Sequence, residues 1–272
     1  MSTRRIEVQG QTLCFDHGAQ YFTVRDVAFA RQVAEWGRAG TAARWPAAGS
    51  DAWVGTPGMN APVKWMAAHH AISWDTKIEA LERRAEAWHL VGAPIPTSFD
   101  AVLIAVPAEQ AVPLLRPFQR SFSGKAARVR SSPCLTAMIA FADPVWTDST
   151  IVRKAGVIAW AARDGSKPSR GNNETWVVQA SPEWSIEHLE LPSEQVAAKL
   201  LLLLQAALAR PLPQPVHLSA HRWRYARRGH DGPGALWDPA TKLGACGDWL
   251  LAPRVEAAWL SGQSLATMIG NA

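Results

Sequence analysis

The C-terminal stretch from Leu243 to Gly270 combines a short apolar segment, a turn with a carboxylate, and an amphipathic segment. Leu243 to Cys246 is uncharged, as strands buried on both faces tend to be, and Gly247 and Asp248 interrupt it. Beyond Pro253, apolar residues recur at alternating intervals of three and four, which is typical of one buried helix face. The pattern predicts a strand, a turn and a helix, with Asp248 beside the unpaired N–H groups of the helix N-terminus.

Asp248 and this helix N-terminus suit a ligand that has hydroxyl groups and an electron-rich edge. A carboxylate accepts hydrogen bonds from hydroxyls and repels phosphate, whereas a helix N-terminus favours negative charge. The alternative interpretation is an ordinary strand–helix corner in which Asp248 caps the helix. Spacing alone favours the ordinary corner, because motif matches of this kind often fail.

A second segment with chemical potential is Asp16-His-Gly-Ala-Gln-Tyr-Phe-Thr23. The small residues Gly18 and Ala19 permit a backbone to approach a flat ligand closely. Gln20 and Tyr21 supply hydrogen-bonding groups and an aromatic ring. By itself the segment is also compatible with a surface turn.

The densest basic patch runs from His221 to His230 and interleaves arginines with Trp223 and Tyr225. Such a patch could bind nucleic acid, but no recognised nucleic-acid-binding fold accompanies it. A solvated loop or a pocket for an anionic small molecule is the preferred interpretation, and we expect no nucleic-acid partner. The chain has 14 Trp, some of which could line a flat aromatic pocket.

Common catalytic patterns are missing from the sequence. His69 and His70 are adjacent, so their side chains point in different directions, and no HExxH pattern supports a zinc site. Gly262-Gln-Ser264 lacks the second glycine of a nucleophile elbow and falls inside the predicted helix, which argues against a serine hydrolase.

Composition limits the class of protein. The chain has 272 residues, 48% of them hydrophobic, which is enough for one large domain or two small ones. No apolar run approaches the roughly 20 residues that span a bilayer, and no signal peptide is visible. Cys14, Cys134 and Cys246 are few and far apart, which favours a reducing, cytoplasmic setting without disulfides.

The predicted elements divide the chain into an α/β part and an antiparallel part. Residues 99–106 and 243–246 are apolar runs typical of buried parallel strands, whereas 72–81 and 87–91 predict a hairpin. Residues 6–15 predict a strand or hairpin with Gly10 at the turn, and 26–40 predict a helix. From 116 to 221, strand-like runs at 135–141, 157–161 and 175–180 predict an antiparallel sheet. We therefore predict one discontinuous domain from 1–115 and 230–272 and another from 116–229, with 40–70 assignable to either.

Several segments, in order along the whole chain, resemble the renalase-like branch of the flavin-dependent amine oxidase superfamily. Each match is weak alone, and together they are specific. The matching segments are Met1-Ser-Thr-Arg-Arg, Asp16-His-Gly-Ala-Gln-Tyr-Phe-Thr, Val54-Gly-Thr-Pro-Gly-Met, Ala105-Val-Pro-Ala-Glu-Gln-Ala, Trp176-Val-Val-Gln-Ala-Ser-Pro-Glu-Trp-Ser, His221-Arg-Trp-Arg-Tyr-Ala, Cys246-Gly-Asp-Trp and Arg254-Val-Glu-Ala-Ala-Trp-Leu-Ser-Gly.

This resemblance implies a mixed α/β fold with FAD as cofactor. It implies a Rossmann-like FAD-binding domain of the para-hydroxybenzoate hydroxylase type and an antiparallel-sheet substrate domain. By position, the residues implied in cofactor binding are Gln20 and Tyr21 near the isoalloxazine ring, Ile78 at the adenine, Gly247 and Asp248 at the ribityl and pyrophosphate groups, and Val255 and Glu256 near the flavin O2. The residues implied in substrate binding are Trp223, Arg224 and Tyr225.

The sequence departs from the family at its N-terminus. Family members open with a strand, a GxGxxG turn and a helix, followed by Gly-Gly-Arg just before the Met-Ser-Thr that begins this chain. That βαβ unit of roughly 30 residues carries the pyrophosphate-binding loop. Our hypothesis is that Met1 is an internal methionine taken as the start of the chain, or that the gene is truncated. We therefore expect weak or no FAD binding by the chain as written.

The resemblance implies hydride transfer from an isomeric dihydronicotinamide dinucleotide to FAD, with reoxidation by oxygen. Such chemistry needs a positioned flat donor rather than a protein nucleophile, which agrees with many Trp and no evident catalytic dyad. Arg224 and neighbouring cations favour an anionic, phosphate-bearing substrate. The alternatives are oxidation of an amine by the flavin, and a truncated, cofactor-free remnant without catalytic activity.

Overall fold

The computed structural model describes residues 1–93, 98–227 and 232–271. Residues 228–231, which include part of the basic patch and the predicted domain boundary at 229 and 230, lie outside the described residues. The chain divides into two compact units. Unit 1 comprises Met1–His69 and Ser132–Ala226, and unit 2 comprises His70–Ser131 and Arg227–Ala272.

Strands and helices are interspersed along the chain. The strands are β1 (Arg4–Val8), β2 (Gln11–Phe15), β3 (Ala42–Arg44), β4 (Trp53–Gly55), β5 (Ala80–Arg84), β6 (Ala87–Val91), β7 (Val102–Ile104), β8 (Ser132–Phe141), β9 (Ile151–Ala155), β10 (Ile158–Arg163), β11 (Glu174–Ala180), β12 (Pro215–Arg227), β13 (Ala235–Asp238) and β14 (Leu243–Cys246). The helices are α1 (Val27–Arg38), α2 (Ala61–Ala67), α3 (Ala108–Leu115), α4 (Arg120–Arg128), α5 (Pro182–Glu187), α6 (Ser193–Leu208) and α7 (Val255–Gly270).

Unit 1 is built on a five-stranded sheet with the order β12-β8-β11-β10-β9. The pairs β8–β11, β11–β10 and β10–β9 are antiparallel, which confirms the predicted antiparallel sheet. Alternate residues of β8 enter different cores, since Ile139 packs in the core that includes Leu200 of α6, while Met138 packs with Phe15 of β2. Covering on both faces explains why β8 is an unbroken apolar run.

The N-terminal half of unit 1 forms largely as its sequence predicts. β1 and β2 pair as an antiparallel hairpin, with Gln9 and Gly10 at positive φ in the turn. In α1 the Asp26 carboxylate accepts hydrogen bonds from the N–H groups of Ala28 and Phe29, so the helix begins where a capping residue allows.

Unit 2 contains the parallel pair expected from the two apolar runs. β14 pairs in parallel with β7 and antiparallel with β13, giving the order β13-β14-β7. The parallel strand predicted at 99–106 is confirmed over β7, but it is only partly buried. Among the described residues β7 lies at the edge of this sheet, and Leu103 is 49% exposed. The hairpin β5–β6 is confirmed, but its first strand begins at Ala80 rather than residue 72 because Asp75, at positive φ, lies in a turn.

Close packing of α7 on β14 depends on one small residue. A Cβ at Gly244 would lie 2.9 Å from Leu265 and 3.0 Å from Leu103, so a larger residue would separate the helix from the strand. Trp249 and Leu250, after the turn, belong to the unit 2 core with Leu115. The turn is therefore fixed on both sides by apolar packing.

The two units group two segments differently from the predicted domains. Residues 116–131, predicted to lie with the antiparallel sheet, belong to unit 2. Residues 1–69 pack with the antiparallel sheet, whereas the prediction joined 1–115 to the C-terminal strand and left only 40–70 open. The hairpin β1–β2 explains the grouping, because Leu13 and Phe15 are buried against Met138 and Val177 of the sheet. Which unit serves the cofactor and which the substrate stays a prediction.

In the part of the chain that the structure describes, no helix combines the length and apolar character needed to cross a bilayer.

Candidate functional site

Asp16 anchors the segment that carries Gln20 and Tyr21. Its side chain is fully buried. One carboxylate oxygen accepts hydrogen bonds from the Thr3 hydroxyl at 2.7 Å and the Met59 N–H at 2.9 Å. The other accepts from Arg170 Nη2 at 2.6 Å and Nε at 3.1 Å, and lies 3.3 Å from Lys167 Nζ. A buried charge with this many partners is a rigid anchor.

The Asp16 network contains a second buried carboxylate, Asp164. Asp164 accepts a hydrogen bond from the Asp16 N–H at 2.9 Å and lies 2.5 Å from Lys167 Nζ. Burial alone would raise the pKa of Asp16, but the charges of Lys167 and Arg170 outweigh it and hold that pKa below its usual value. Burial raises the pKa of Asp164, which has Lys167 as its only cationic partner in the network.

Gln20 is part of the same network rather than free to turn toward solvent. Its Nε2 donates to the carbonyl oxygens of Asp16 and Gly18, and its Oε1 lies 3.3 Å from Lys167 Nζ. Gln179 Nε2 also donates to the Gly18 carbonyl at 2.7 Å. The backbone of the 16–21 segment is therefore held by side chains from β11 and from the loop after β10.

Tyr21 lies in an aromatic group with Trp45 and Trp160. Its ring centroid is 5.2 Å from that of Trp160 and 6.5 Å from that of Trp45. The indole Nε1 of Trp160 is buried without a hydrogen-bond partner among the described residues, while the Trp45 indole donates to the Ser166 carbonyl. These rings give the site a flat apolar wall with one unused donor.

On the other side of the segment, His17 packs with His221 and Trp223. The ring centroids are 5.0 Å apart for His17–His221 and 5.1 Å for His17–Trp223, and Trp223 Nε1 donates to the His17 carbonyl at 2.8 Å. Burial is the largest cause that lowers the pKa of His17 to about 4, and the electrostatic effects of His221 and Arg4 act in the same direction. Both histidines are neutral near pH 7, since burial and Arg4 also lower the pKa of His221.

Arg4 is the unmatched charge in this cluster. Its Nη2 lies 3.2 Å from His221 Nδ1, and no carboxylate of the described residues forms an ion pair with it. A neutral histidine cannot balance a guanidinium, so positive charge accumulates beside Trp223. Sequence reasoning did not single out Arg4.

The predicted substrate residues Trp223, Arg224 and Tyr225 are separated by the alternation of β12. Trp223 faces the 16–21 segment, whereas Arg224 forms a bidentate ion pair with Glu190 at 2.7 and 3.0 Å on the surface. Tyr225 is 42% exposed. The support that Arg224 gave to an anionic substrate is thereby weakened, because Glu190 neutralises it.

In unit 2, Gly247 and Asp248 form the turn after β14. The Gly247 N–H donates to the Ser261 hydroxyl at 2.8 Å, and that hydroxyl donates to the Gly234 carbonyl at 2.5 Å. A Cβ at Gly247 would lie 2.5 Å from Trp249 Nε1, so only glycine fits. Asp248 is half-buried, and burial raises the pKa of its carboxyl group.

Val255 and Glu256 begin α7, as the sequence predicts. The N-cap residue Arg254 makes no side-chain capping bond. Glu256 is 2% exposed, and its carboxylate lies 3.6 Å from Arg254 Nη2.

Ile78 lies just before β5 and packs against the same core as Trp249 and Leu250. The structure thus brings Gln20, Tyr21 and Trp223 together in unit 1. Ile78 and the 247–256 turn share a core in unit 2.

The most important residues that sequence reasoning missed are the cations and the second acid of the Asp16 network. Lys167 and Arg170 follow Asp16 by 151 and 154 residues, so no local pattern connects them. One indication of these partners was present in the sequence, because an aspartate between apolar strands requires a partner if it is buried.

Two cavities, one in each unit, are not lined by the predicted cofactor residues. One of about 320 Å³ in unit 1 lies beside the β1–β2 hairpin and Phe141. Another of about 590 Å³ in unit 2 is lined by residues of α4 and the preceding loop.

Comparison with a family model identifies the class of protein. The model for flavin-containing amine oxidoreductases matches residues 41–267. The chain belongs to this family, whose members are FAD-dependent oxidoreductases, so the predicted cofactor class and superfamily are confirmed.

Two solved structures show the same fold. A putative protoporphyrinogen oxidase from Exiguobacterium sp. 255-15 aligns with a TM-score of 0.58 and 15% identity, over 81% of this chain and 53% of that one. Cyclohexylamine oxidase from Brevibacterium oxydans IH-35A aligns with a TM-score of 0.57 and 14% identity, over 80% of this chain and 54% of that one. This chain spans about half the length of each.

Within each unit, some groups are of the kind that a flavin cofactor uses. In unit 1 the Trp160 indole beside Tyr21 is a buried donor without a partner among the described residues. In unit 2 the N-cap residue of α7 makes no side-chain capping bond, and Asp248 follows a glycine that tolerates no side chain. No GxGxxG segment occurs in the 272 residues, so the glycine loop that would hold the diphosphate has no counterpart in this sequence.

Proposed function

We propose that this protein is an FAD-dependent oxidoreductase that oxidises an isomeric dihydronicotinamide dinucleotide. FAD, when bound, accepts a hydride at its isoalloxazine ring and passes the electrons to oxygen. The residues assigned to FAD are Gln20 and Tyr21 at the ring, Val255 and Glu256 at its O2 edge, Gly247 and Asp248 at the ribityl chain, and Ile78 at the adenine. A Rossmann-type FAD domain of the para-hydroxybenzoate hydroxylase type is part of this proposal.

The protein's contribution is positioning and exclusion of water. The Asp16 network holds the backbone before Tyr21, so the ring of Tyr21 keeps its place against Trp45 and Trp160. Such a rigid aromatic wall orients a flat donor and keeps solvent away. The neutral ring of His17 adds an unpaired Nδ1 within the same segment.

The observation that carries the choice of substrate is the uncompensated charge of Arg4. Arg4 contacts neutral His221 beside Trp223. A dinucleotide bears a negatively charged diphosphate, which a guanidinium binds in bidentate fashion. A protonated amine would be repelled by the same charge.

Oxidation of an amine is the alternative, favoured by the aromatic group of Tyr21, Trp45 and Trp160. Aromatic rings can surround an amine close to a flavin, and the family description names amine oxidoreductases. The remaining alternative is that the chain is a remnant that binds no cofactor.

Anaerobic reduction of the full chain supplied with excess FAD distinguishes these functions. We expect dihydronicotinamide dinucleotide isomers to bleach bound flavin and primary amines not to do so. Bleaching by amines alone would favour the alternative, and absence of bound flavin would favour the remnant. Because a charged hydrogen bond contributes ~1.5–3 kcal/mol, Arg4→Gln should weaken substrate binding about tenfold or more. The exposed neighbour Arg5→Gln should leave it unchanged.

A further inference from the structure

The segment from Arg116 to Arg130, here called the basic segment, has an unbalanced positive charge. All its cations are exposed, namely Arg116, Arg120, Lys125, Arg128 and Arg130. No Asp or Glu occurs in the sequence between Glu109 and Asp143. A surface with this charge distribution attracts anions.

The two carboxylates that touch the ends of this segment are engaged by other groups. Glu109 accepts hydrogen bonds from the N–H and hydroxyl of Ser131 at 2.8 and 3.1 Å. Asp238 accepts from Gln119 and from the Thr241 hydroxyl. Among the described residues, no ion pair joins a carboxylate to any cation of the basic segment, so its charge is left for a ligand.

Two of these cations line a groove. The groove of about 590 Å³ is bounded by Arg116, Pro117, Arg120, Ser123, Gly124 and Ala127. The Ser123 hydroxyl donates to the Val112 carbonyl at 3.3 Å, which ties this wall to α3. A Cβ at Gly124 would meet no atom within 4 Å, so the groove is open at this residue.

We propose that Arg116 and Arg120 bind a phosphate group in this groove. Guanidinium groups match phosphate oxygens in bidentate geometry, and a pair lining one concavity can hold the anion from two directions. The volume lies within the range of small-molecule sites, so the groove accommodates a phosphate together with an organic group attached to it. A free organic phosphate and a phospholipid headgroup share this chemistry. None of the residues assigned to FAD lines the groove.

Titration of the full chain with inorganic pyrophosphate at constant ionic strength tests the proposal. Calorimetry should show saturable binding by the wild-type protein. Since each guanidinium supplies charge-assisted hydrogen bonds, Arg116→Gln and Arg120→Gln should each weaken binding about tenfold. Arg128→Gln, in the same segment but outside the groove, should change it less than about threefold, as a charge acting through solvent does.

Gly124 offers a matched pair of variants that leaves both arginines in place. Gly124→Glu adds a carboxylate to the groove and should abolish binding, whereas Gly124→Gln adds the same volume without charge and should retain it. No saturable binding of pyrophosphate or of vesicles would overturn the proposal. An equal loss in Arg128→Gln and Arg120→Gln would also overturn it, because it would show a diffuse charge effect.

A vesicle arm identifies the source of the phosphate. Flotation with phosphatidylcholine vesicles, with and without phosphatidic acid, should show binding that Gly124→Glu abolishes if the ligand is a lipid headgroup. Pyrophosphate binding without vesicle binding supports a soluble phosphate. Vesicle binding that survives Gly124→Glu but is lost in Arg128→Gln contradicts the groove as the site.

Discussion

Asp16 and Asp248 belong to the two segments assigned to the flavin, yet their surroundings differ. Asp16 is fully buried, and its oxygens are engaged by Thr3, Met59, Lys167 and Arg170. Asp248 is half-buried, and its turn is fixed instead by Gly247 and by the packing of Trp249. The difference shows that the carboxylate of unit 1 is a buried structural anchor, whereas that of unit 2 is partly accessible, and we propose that it binds a ligand.

The largest effect should follow from Lys167→Met, which breaks the unit 1 anchor. The side chains of Lys167 and Asp164 are 0% and 1% exposed, so removing the cation leaves the buried Asp164 without its cationic partner. Breaking such a pair costs ~3–5 kcal/mol, and we expect urea denaturation to show a loss of this size or no folded protein. Exposed Lys199→Met on α6 should change stability by less than ~0.5 kcal/mol. A similar small change in Lys167→Met would show that the network is not an anchor.

A smaller effect should follow from Gly247→Ala in the unit 2 turn. The added Cβ would overlap the indole of Trp249, which is 3% exposed and donates to the Val106 carbonyl at 3.2 Å. Overpacking of this kind costs ~1–3 kcal/mol. Gly262→Ala within α7, where a Cβ meets nothing within 4 Å, should be neutral or stabilising by ~0.5–1 kcal/mol. Equal thermal denaturation midpoints for the two variants would contradict this account of the turn.

The smallest of the three expected effects is the loss of stability at acid pH that arises from His17. The pKa of His17 is about 4 in the folded protein, against about 6.5 when unfolded. The unfolded state therefore binds the proton more readily, and stability is lost as pH falls from about 6.5 toward 4. After allowance for solvent screening, the loss should be ~1–2 kcal/mol. His17→Gln should flatten this pH dependence of the unfolding free energy, whereas exposed His70→Gln should not.

The sequence predicted elements better than it predicted their grouping. The strand–turn–helix at the C-terminus, the β1–β2 hairpin and the antiparallel strands depend on local periodicity, so they were predicted correctly. The packing of residues 1–69 against the central sheet depends on Leu13 and Phe15 meeting Met138, a contact that no local pattern contains. Leu103 was expected to be buried because an apolar run does not show whether a strand lies at a sheet edge.

For the candidate site, the resemblance identified the segments but not what holds them. Gln20 and Tyr21 were identified from a short motif, whereas Asp164, Lys167 and Arg170 became evident only through contacts across more than half the chain. The resemblance implied Arg224 and did not single out Arg4, and only the structure shows that Glu190 neutralises Arg224.

Titration of the full chain with FAD, followed by the visible flavin spectrum, tests the central claim most directly. Because the GxGxxG loop is missing from the sequence, the account predicts weak but saturable binding, with a perturbed spectrum. Asp248→Ala should weaken that binding about tenfold or more, because a charged hydrogen bond contributes ~1.5–3 kcal/mol, while the urea midpoint stays unchanged. An unperturbed spectrum at saturating FAD, or equal affinity in the wild type and Asp248→Ala, would contradict it.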